Sequence, residues 1–379
     1  MKPTVTHVIS SLSTGGAERT LLALVRDSSE EFDHRVVVLS AHDSMRRQFE
    51  SVTSGGVVTL GLPRGVRGMP GFMGAIREVL RRPSNIVHGW MHHGCVVATA
   101  AAAIQRRSKP CRLVWGVRND DGSRVVRLTE RLALWAGRRT SAHCDVMISN
   151  SRRALDSLLQ RGFSPRRVVV IPNGVVVPTA LQVATWRAEV RSELGISPDA
   201  PVAIYVGNLR AAKDPECLLR GIRTAVGHLP SLTVLLVGRA PVGAAAEPVL
   251  RAFRTLPCIR LMGETQDVMP LMSASDVLVL SSKSEGCPTV VLEALACGCG
   301  VVSTDVGDVR EIIGSAGQVV EVGDGLALGT ALVRAISQRG ETKRDGLPSP
   351  RAQVLGRHEQ DQSLSAMVHE YRRLLNTVM

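Results

Sequence analysis

Apolar and polar positions alternate along the chain in short blocks. Residues 5–9 are apolar and strand-like, and the polar loop Ser10-Ser11-Leu12-Ser13-Thr14-Gly15-Gly16 follows. Residues 17–25 then carry Leu21, Leu22 and Val25 at helical spacing, and 35–40 read as a second strand. Strand, glycine loop, helix and strand form the repeating unit of a parallel sheet covered by helices. The rhythm persists, with strands expected at 86–88, 112–116, 146–149 and 168–171. Pro172-Asn173-Gly174 is a turn. The pattern restarts at 202–206 and continues at 232–237, 259–261, 277–280 and 301–303. The chain therefore reads as α/β, with two Rossmann-like domains at 1–175 and 176–355. Residues 339–357 form a polar linker bearing Pro and Gly. The tail, 356–379, is an amphipathic helix with Leu364, Met367, Val368, Tyr371, Leu374, Leu375 and Val378 on one stripe. Such domains bind ligands at the carboxyl ends of their strands, and two placed face to face would enclose a cleft.

Composition narrows the class. Of 379 residues, 44% are hydrophobic and 21% charged, which excludes a disordered chain. The most apolar stretch, 96–104, falls far short of the ~18 residues of a membrane span. Residues 1–16 carry one lysine and turn polar too early for a secretory signal, so a cytoplasmic protein is expected. The eight cysteines include no C-x-x-C pair and no zinc-like spacing, as expected of buried thiols in a reducing compartment. Charge is divided unevenly. Residues 1–170 hold 26 Lys and Arg against 13 Asp and Glu, whereas 171–379 hold 20 against 21. The basic first half suits an anionic partner: a phosphorylated substrate or a membrane surface. Aromatics, at 3%, are too few for the stacking platforms of a single-strand binder, so no nucleic acid is expected.

Three loops can carry chemistry. Glu285 follows the strand at 277–280, Pro288 stands where a helix's first turn tolerates a missing N–H, and Glu293 lies in that helix's second turn. Two carboxylates beside free helical N–H groups suit a ligand with both hydroxyls and phosphates. By spacing alone they are equally a capping acid and a solvated surface acid. Arg210 and Lys213 follow the strand at 202–206 and can converge on one diphosphate, or remain two exposed cations. Gly15-Gly16 permits close backbone approach at a helix start, but it completes neither a G-x-G-x-x-G nor a Walker loop.

Together these segments resemble glycosyltransferase family 4. Ser284-Glu285-Gly286-Cys287-Pro288 through Glu293-Ala294, with Ala296 and Gly298, fits the family's E-x7-E frame. Asn208-Leu209-Arg210 with Lys213 fits its phosphate loop, and Gly15-Gly16-Ala17-Glu18 its first loop. Trp115 with Arg118-Asn119, Ser149-Asn150-Ser151, Ile171-Pro172-Asn173-Gly174-Val175, Gly263 with Asp267-Val268, and Val301 to Gly307 with Glu311 also match in order. The resemblance implies the GT-B fold, with the last helix crossing back to the first domain. It also implies a retaining, metal-independent transferase that uses a nucleoside-diphosphate sugar and no cofactor. Glu293 inherits the ribose contact, and Glu285 the donor sugar's hydroxyls. Gly16, Gly286, Cys287, Pro288 and Thr289 line the donor, while Arg210 and Lys213 neutralise the departing diphosphate. His92 is the first candidate for a histidine near the donor sugar and His88 the second. Arg118 is expected to hold an acceptor phosphate or the donor, and His88 to reach the acceptor. Three departures stand out: Asn208 replaces a frequent Arg, Cys287 a frequent Phe, and Val176 a frequent Asp.

The acceptor is expected to be a glycan or lipid-linked molecule, as in bacterial surface-polysaccharide synthesis. Residues 124–139 place Arg124, Arg127, Arg131 and Arg138 on one helical arc beside Val125, Leu128, Leu132 and Trp135. Such a helix could rest on the anionic inner face of the plasma membrane. Three other classes remain distinguishable. A nucleotide-sugar epimerase would lack the E-x7-E frame. A catalytically dead scaffold would not need both acids and both cations. A nucleic-acid binder would give a gel shift indifferent to Glu293→Ala.

Overall fold

The computed structural model describes residues 2–13, 15–63, 71–118, 128–239, 247–338, 350–354 and 357–376. The chain divides into two compact units, Met1–Asn173 with Asp361–Met379, and Gly174–Gln360. The division thus falls two residues before the turn-based boundary.

The first unit runs β1 (Thr4–Ile9), α1 (Gly16–Asp27), β2 (Asp33–Val38), α2 (Arg46–Glu50), β3 (Val57–Thr59), α3 (Gly71–Leu80), β4 (Ile86–Trp90), α4 (Met91–Gln105), β5 (Arg112–Val117), α5 (Leu128–Thr140), β6 (Val146–Ser149), α6 (Arg152–Gln160) and β7 (Val168–Val170). The second runs α7 (Ala180–Glu193), β8 (Val202–Val206), α8 (Pro215–His228), β9 (Thr233–Val237), α9 (Glu247–Arg254), β10 (Ile259–Gly263), α10 (Met269–Ala274), β11 (Val277–Leu280), α11 (Thr289–Ala296), β12 (Gly300–Thr304), α12 (Val309–Ile313), β13 (Gly317–Val320), α13 (Gly325–Ser337) and α14 (Pro350–Val354). The last helix, α15 (Gln360–Asn376), packs on the first unit. Every named strand pairing is parallel, in the orders β3-β2-β1-β4-β5-β6-β7 and β10-β9-β8-β11-β12-β13.

Helices on both faces explain why these strands read as nearly continuous apolar runs. In the first sheet Val5, Val36, Ile86, Trp90 and Val114 face α1 and α15, while Val8, Val37, Val87 and Trp115 face α3, α4 and α6. Leu364, Met367, Val368, Tyr371 and Leu374 of α15 are buried in the first core, each side chain contributing on the order of 1.5–3 kcal/mol. The strands at β3 and β13 went unread in the sequence because they are short, edge-placed and only half-buried. Asn119, Arg124, Val125, Arg127, Val378, and residues 339–349 and 355–356 of the expected linker lie outside the described residues.

The face under α1 and α15 also holds a polar chain. His7 and His34, diagonal neighbours on β1 and β2, and His88 on β4 are all buried. Trp90 Nε1 donates to His7 Nδ1 over 3.2 Å. His7 must therefore carry its proton on Nε2, which faces His34 Nδ1 at 3.0 Å. His34 then donates from Nε2 to Ser28 Oγ at 2.9 Å, and Ser28 donates to the Leu24 carbonyl at 2.6 Å. The direction of every bond requires neutral rings, and burial pushes all three histidines below their ordinary pKa, His34 to about 4. His88 Nδ1 meets the Tyr371 hydroxyl at 2.6 Å, tying α15 to the sheet.

Candidate functional site

In an open parallel sheet, ligands gather where the strand order reverses. In the second unit that point lies between β8 and β11, which are neighbours. The loop after β8 carries Arg210 and Lys213, and the loop after β11 carries Glu285, so topology brings the two expected groups together. Lys213 Nζ donates to Glu285 Oε1, and Ser282 Oγ donates to the same oxygen over 2.6 Å. Contacts to backbone carbonyls knit the loops: Ser281 Oγ donates to the Lys213 carbonyl at 2.7 Å, and Lys283 N to the Ala212 carbonyl at 2.8 Å. Asp214, left-handed at φ 45°, caps α8 through Cys217 N and pairs with Lys283 Nζ at 3.5 Å. Arg210 is exposed at the start of the short 3-10 turn that ends in Lys213.

Gly286, Cys287 and Pro288 are buried, and Thr289 opens α11. Pro288 precedes α11 in extended backbone rather than sitting inside its first turn, a correction of one residue. Its missing N–H is still harmless there, since the N-cap's amide is outside the helical ladder. Glu293 lies half-buried in the second turn of α11. The Glu285 loop rests on the turn after β12. Gly307 has φ +50°, and a Cβ there would run into the Gly286 carbonyl and stand 2.8 Å from that of Glu285. Asp308 N donates to Gly286 O over 3.0 Å. Gly307→Ala should therefore cost about 1–3 kcal/mol and move Glu285. Unfolding in urea measures the first, and an unchanged urea midpoint would contradict this account.

In the first unit the order reverses between β1 and β4. Gly15 caps α1 in extended backbone and Gly16 is its first residue. The Glu18 carboxylate is buried there and accepts from Ser11 Oγ at 3.1 Å and Ser13 Oγ at 3.0 Å, so it shapes this loop from within. His92 is buried in the first turn of α4, directly after Met91, whose φ of +60° is unusual for a side-chain-bearing residue. His88 is corrected: it lies in β4, as the strand expected at 86–88 implies, but its side chain is buried in the core. It shares the inner face with Ile86 and Trp90, stacked on the Trp90 ring and covered by Tyr371. Arg118 is corrected likewise. Its guanidinium is buried 5.0 Å above the Trp90 ring and donates to Thr20 Oγ1, Asn173 Oδ1 and Met367 Sδ, binding β5's end to α1, to the turn at Asn173 and to α15. Neither reaches outward to an acceptor. Their burial follows from α15, which packs over this face of the sheet.

One surface of this unit also stands out. Along α5, Leu128, Leu132 and Trp135 are 58%, 41% and 60% exposed, one stripe at helical spacing. Arg131, Arg138 and Arg139 are exposed on the same helix, with Arg139 lying 5.3 Å from the Trp135 ring centre. No described helix is long and apolar enough to cross a membrane. The residues that sequence reasoning missed are Glu18's partners, Asp214, Ser281, Ser282 and the supporting role of Gly307. Only Gly307 left a signal, a glycine three residues after a strand.

Residues 14–177 match the family described as Glycosyltransferase Family 4, and residues 200–338 that described as Glycosyl transferases group 1. N-acetyl-alpha-D-glucosaminyl L-malate synthase of Bacillus anthracis is 29% identical over 138 residues, 36% of each chain. D-inositol 3-phosphate glycosyltransferase of Geodermatophilus obscurus is 30% identical over 215 residues, 53% of this chain and 47% of that one. The chain thus spans under half the length of these two relatives. Among solved structures, Anabaena HepE in complex with UDP-glucose superposes with a TM-score of 0.79 at 19% identity, covering 98% of this chain and 100% of that one. Sucrose-phosphate synthase of Thermosynechococcus elongatus gives 0.79 at 18% identity, covering 99% and 100%. These two likenesses are of fold, and the fold is GT-B.

Proposed function

Since the chain belongs to glycosyltransferase family 4, we propose that it moves a sugar from a nucleoside diphosphate to an acceptor hydroxyl with retention of configuration. The Lys213–Glu285 pair at the second unit's switch point carries this reading. It joins a cation suited to phosphate and a carboxylate suited to sugar hydroxyls on two loops knitted to each other. Arg210 and Lys213 meet the charge that grows on the leaving diphosphate, and Glu293 holds the ribose. The N–H groups of Gly286, Cys287 and Thr289 face the donor. As the bond from the anomeric carbon to phosphate breaks, the acceptor oxygen bonds to the same face, and its proton passes to the departing phosphate oxygen. His92 stands as the candidate neighbour of the donor sugar.

HepE was solved with UDP-glucose, so UDP and UDP-glucose are the first probes, with GDP and ADP beside them. At a hundredfold excess over Kd the bound nucleotide adds about 2.7 kcal/mol, a rise in Tm of roughly 5–10 °C for a unit of this size. The rise should survive excess EDTA, because Arg210 and Lys213 supply the positive charge. No rise with any nucleotide would sink the reading.

The acceptor is proposed to be a glycan or lipid-linked molecule met at an anionic membrane face, with α5 as the contact. Its three apolar side chains would enter the headgroup layer, and its arginines would each add about 1 kcal/mol near the surface. Vesicles of brominated anionic lipid should quench Trp135 fluorescence, and the double substitution Leu132→Asp, Trp135→Asp should abolish co-sedimentation. Equal binding to neutral vesicles, or none to either, would refute this.

A further inference from the structure

We infer that Tyr205 is a positioning residue whose hydroxyl closes a triangle with the Lys213 ammonium and the Glu285 carboxylate when a nucleoside diphosphate is bound, which rests on reading this site as the donor site. Tyr205 is the fourth residue of β8 and shares a face with Ala203, packed into the core formed with α8 and α13. Its ring is fully buried. Its hydroxyl is buried too and has no hydrogen-bond partner among the described residues. A phenylalanine would fill the same core without leaving a polar atom bare, so the hydroxyl calls for a partner that the unliganded protein does not supply.

The direction of that hydroxyl identifies the partner. Gly207 lies two residues further along the chain. A Cβ on it would stand 3.2 Å from the Tyr205 hydroxyl and 3.7 Å from Lys213 Cε. The space left by this missing side chain therefore opens onto both groups, and Lys213 Nζ lies one bond beyond Cε. Glu285 and Arg210 are the charges that the phenol feels, and burial holds it protonated by pushing its pKa up. It can thus accept one hydrogen bond and donate another.

Lys213 has three N–H groups. One goes to Glu285 in the unliganded protein. A diphosphate takes a second, and excludes water from the third. The Tyr205 oxygen is the buried acceptor available to it, and the Tyr205 O–H can then turn to Glu285. Tyr205 so fixes the ammonium between phosphate and carboxylate without touching the donor itself.

A double-mutant cycle tests this. Wild type, Tyr205→Phe, Lys213→Ala and the double variant would be compared for Tm without ligand. Their Kd would then be measured for whichever of UDP, GDP and ADP binds the wild type. Tyr205→Phe should melt at or above the wild-type temperature, yet bind the nucleotide about three- to tenfold more weakly. In the Lys213→Ala background the same substitution should change nothing, because the group it acts through is gone. A lower Tm without ligand would show that the hydroxyl is already satisfied and would overturn the inference. So would wild-type affinity in Tyr205→Phe, or the same loss in both backgrounds. Binding of no nucleotide by the wild type would instead bring down the donor-site reading beneath it.

Discussion

Lys213→Ala should slow sugar transfer by about 10²–10³-fold while weakening nucleotide binding much less. A fixed donor aimed at charge that develops only as the diphosphate leaves is worth that much in turnover, about 2.7–4 kcal/mol. The loss belongs in kcat because the charge on the bridging oxygen is absent from the ground state. The two knitted loops strengthen the expectation. Ser281 fastens the Lys213 carbonyl and Lys283 that of Ala212 beside it, and Ser282 holds the Glu285 oxygen that Lys213 also holds. The ammonium is thus aimed before any ligand arrives, and its removal leaves Glu285 in place without its cation. Glu293→Ala should do the reverse, raising the nucleotide Kd with a smaller change in turnover, since a ribose contact is equal in ground and transition states. Release of nucleoside diphosphate from the donor, followed across donor concentration, separates the two. Equal effects of both variants on kcat and KM would exclude the division of labour.

The second large effect is on stability against acid. His7, His34 and His88 have folded-state pKa values below the ordinary 6.5, the first and last well below it and His34 at about 4. Burial is the leading cause in each. The Arg118 charge adds to the lowering at His88, and Asp33 opposes it at His34. Because the unfolded chain takes up these protons first, stability is complete above about pH 6.5 and falls as pH drops towards the folded-state values. Each histidine contributes about 1.4 kcal/mol per pH unit once the unfolded form is protonated. Three together should remove roughly 5 kcal/mol between pH 7 and pH 5, as much as the whole stability of many domains. Protonating His7 or His34 would also set two N–H groups against each other along the Trp90–His7–His34–Ser28 chain. Urea midpoints at pH 7, 6 and 5 measure this, with His34→Leu expected to flatten the slope by about a third. A midpoint independent of pH over this range would show that the rings are not buried neutral.

Much of this was legible in the sequence. Two runs of parallel strands, the placing of Arg210, Lys213 and Glu285 just after strands, and that of Glu293 within the next helix all follow from periodicity of two kinds, which local steric rules impose. Glycine and proline punctuate the loops for equally local reasons, and the basic first half is a plain count. What the sequence could not carry was contact between residues far apart along it. That Lys213 bonds Glu285 depends on β8 lying beside β11, a crossover that no local pattern encodes. His88 and Arg118 looked like ligand groups because both stand near strand ends. Tertiary packing turned them inward, because α15 returns over that sheet face and brings Tyr371 and Met367 to meet them. Gly307 and Tyr205 gained their meaning the same way, from the loop above one and the lysine beside the other. The sequence determined the elements and the chemistry available at their ends, since both depend on neighbours a few residues away. Only the tertiary structure decided which ends meet and which polar groups are buried, since those depend on pairings across the chain.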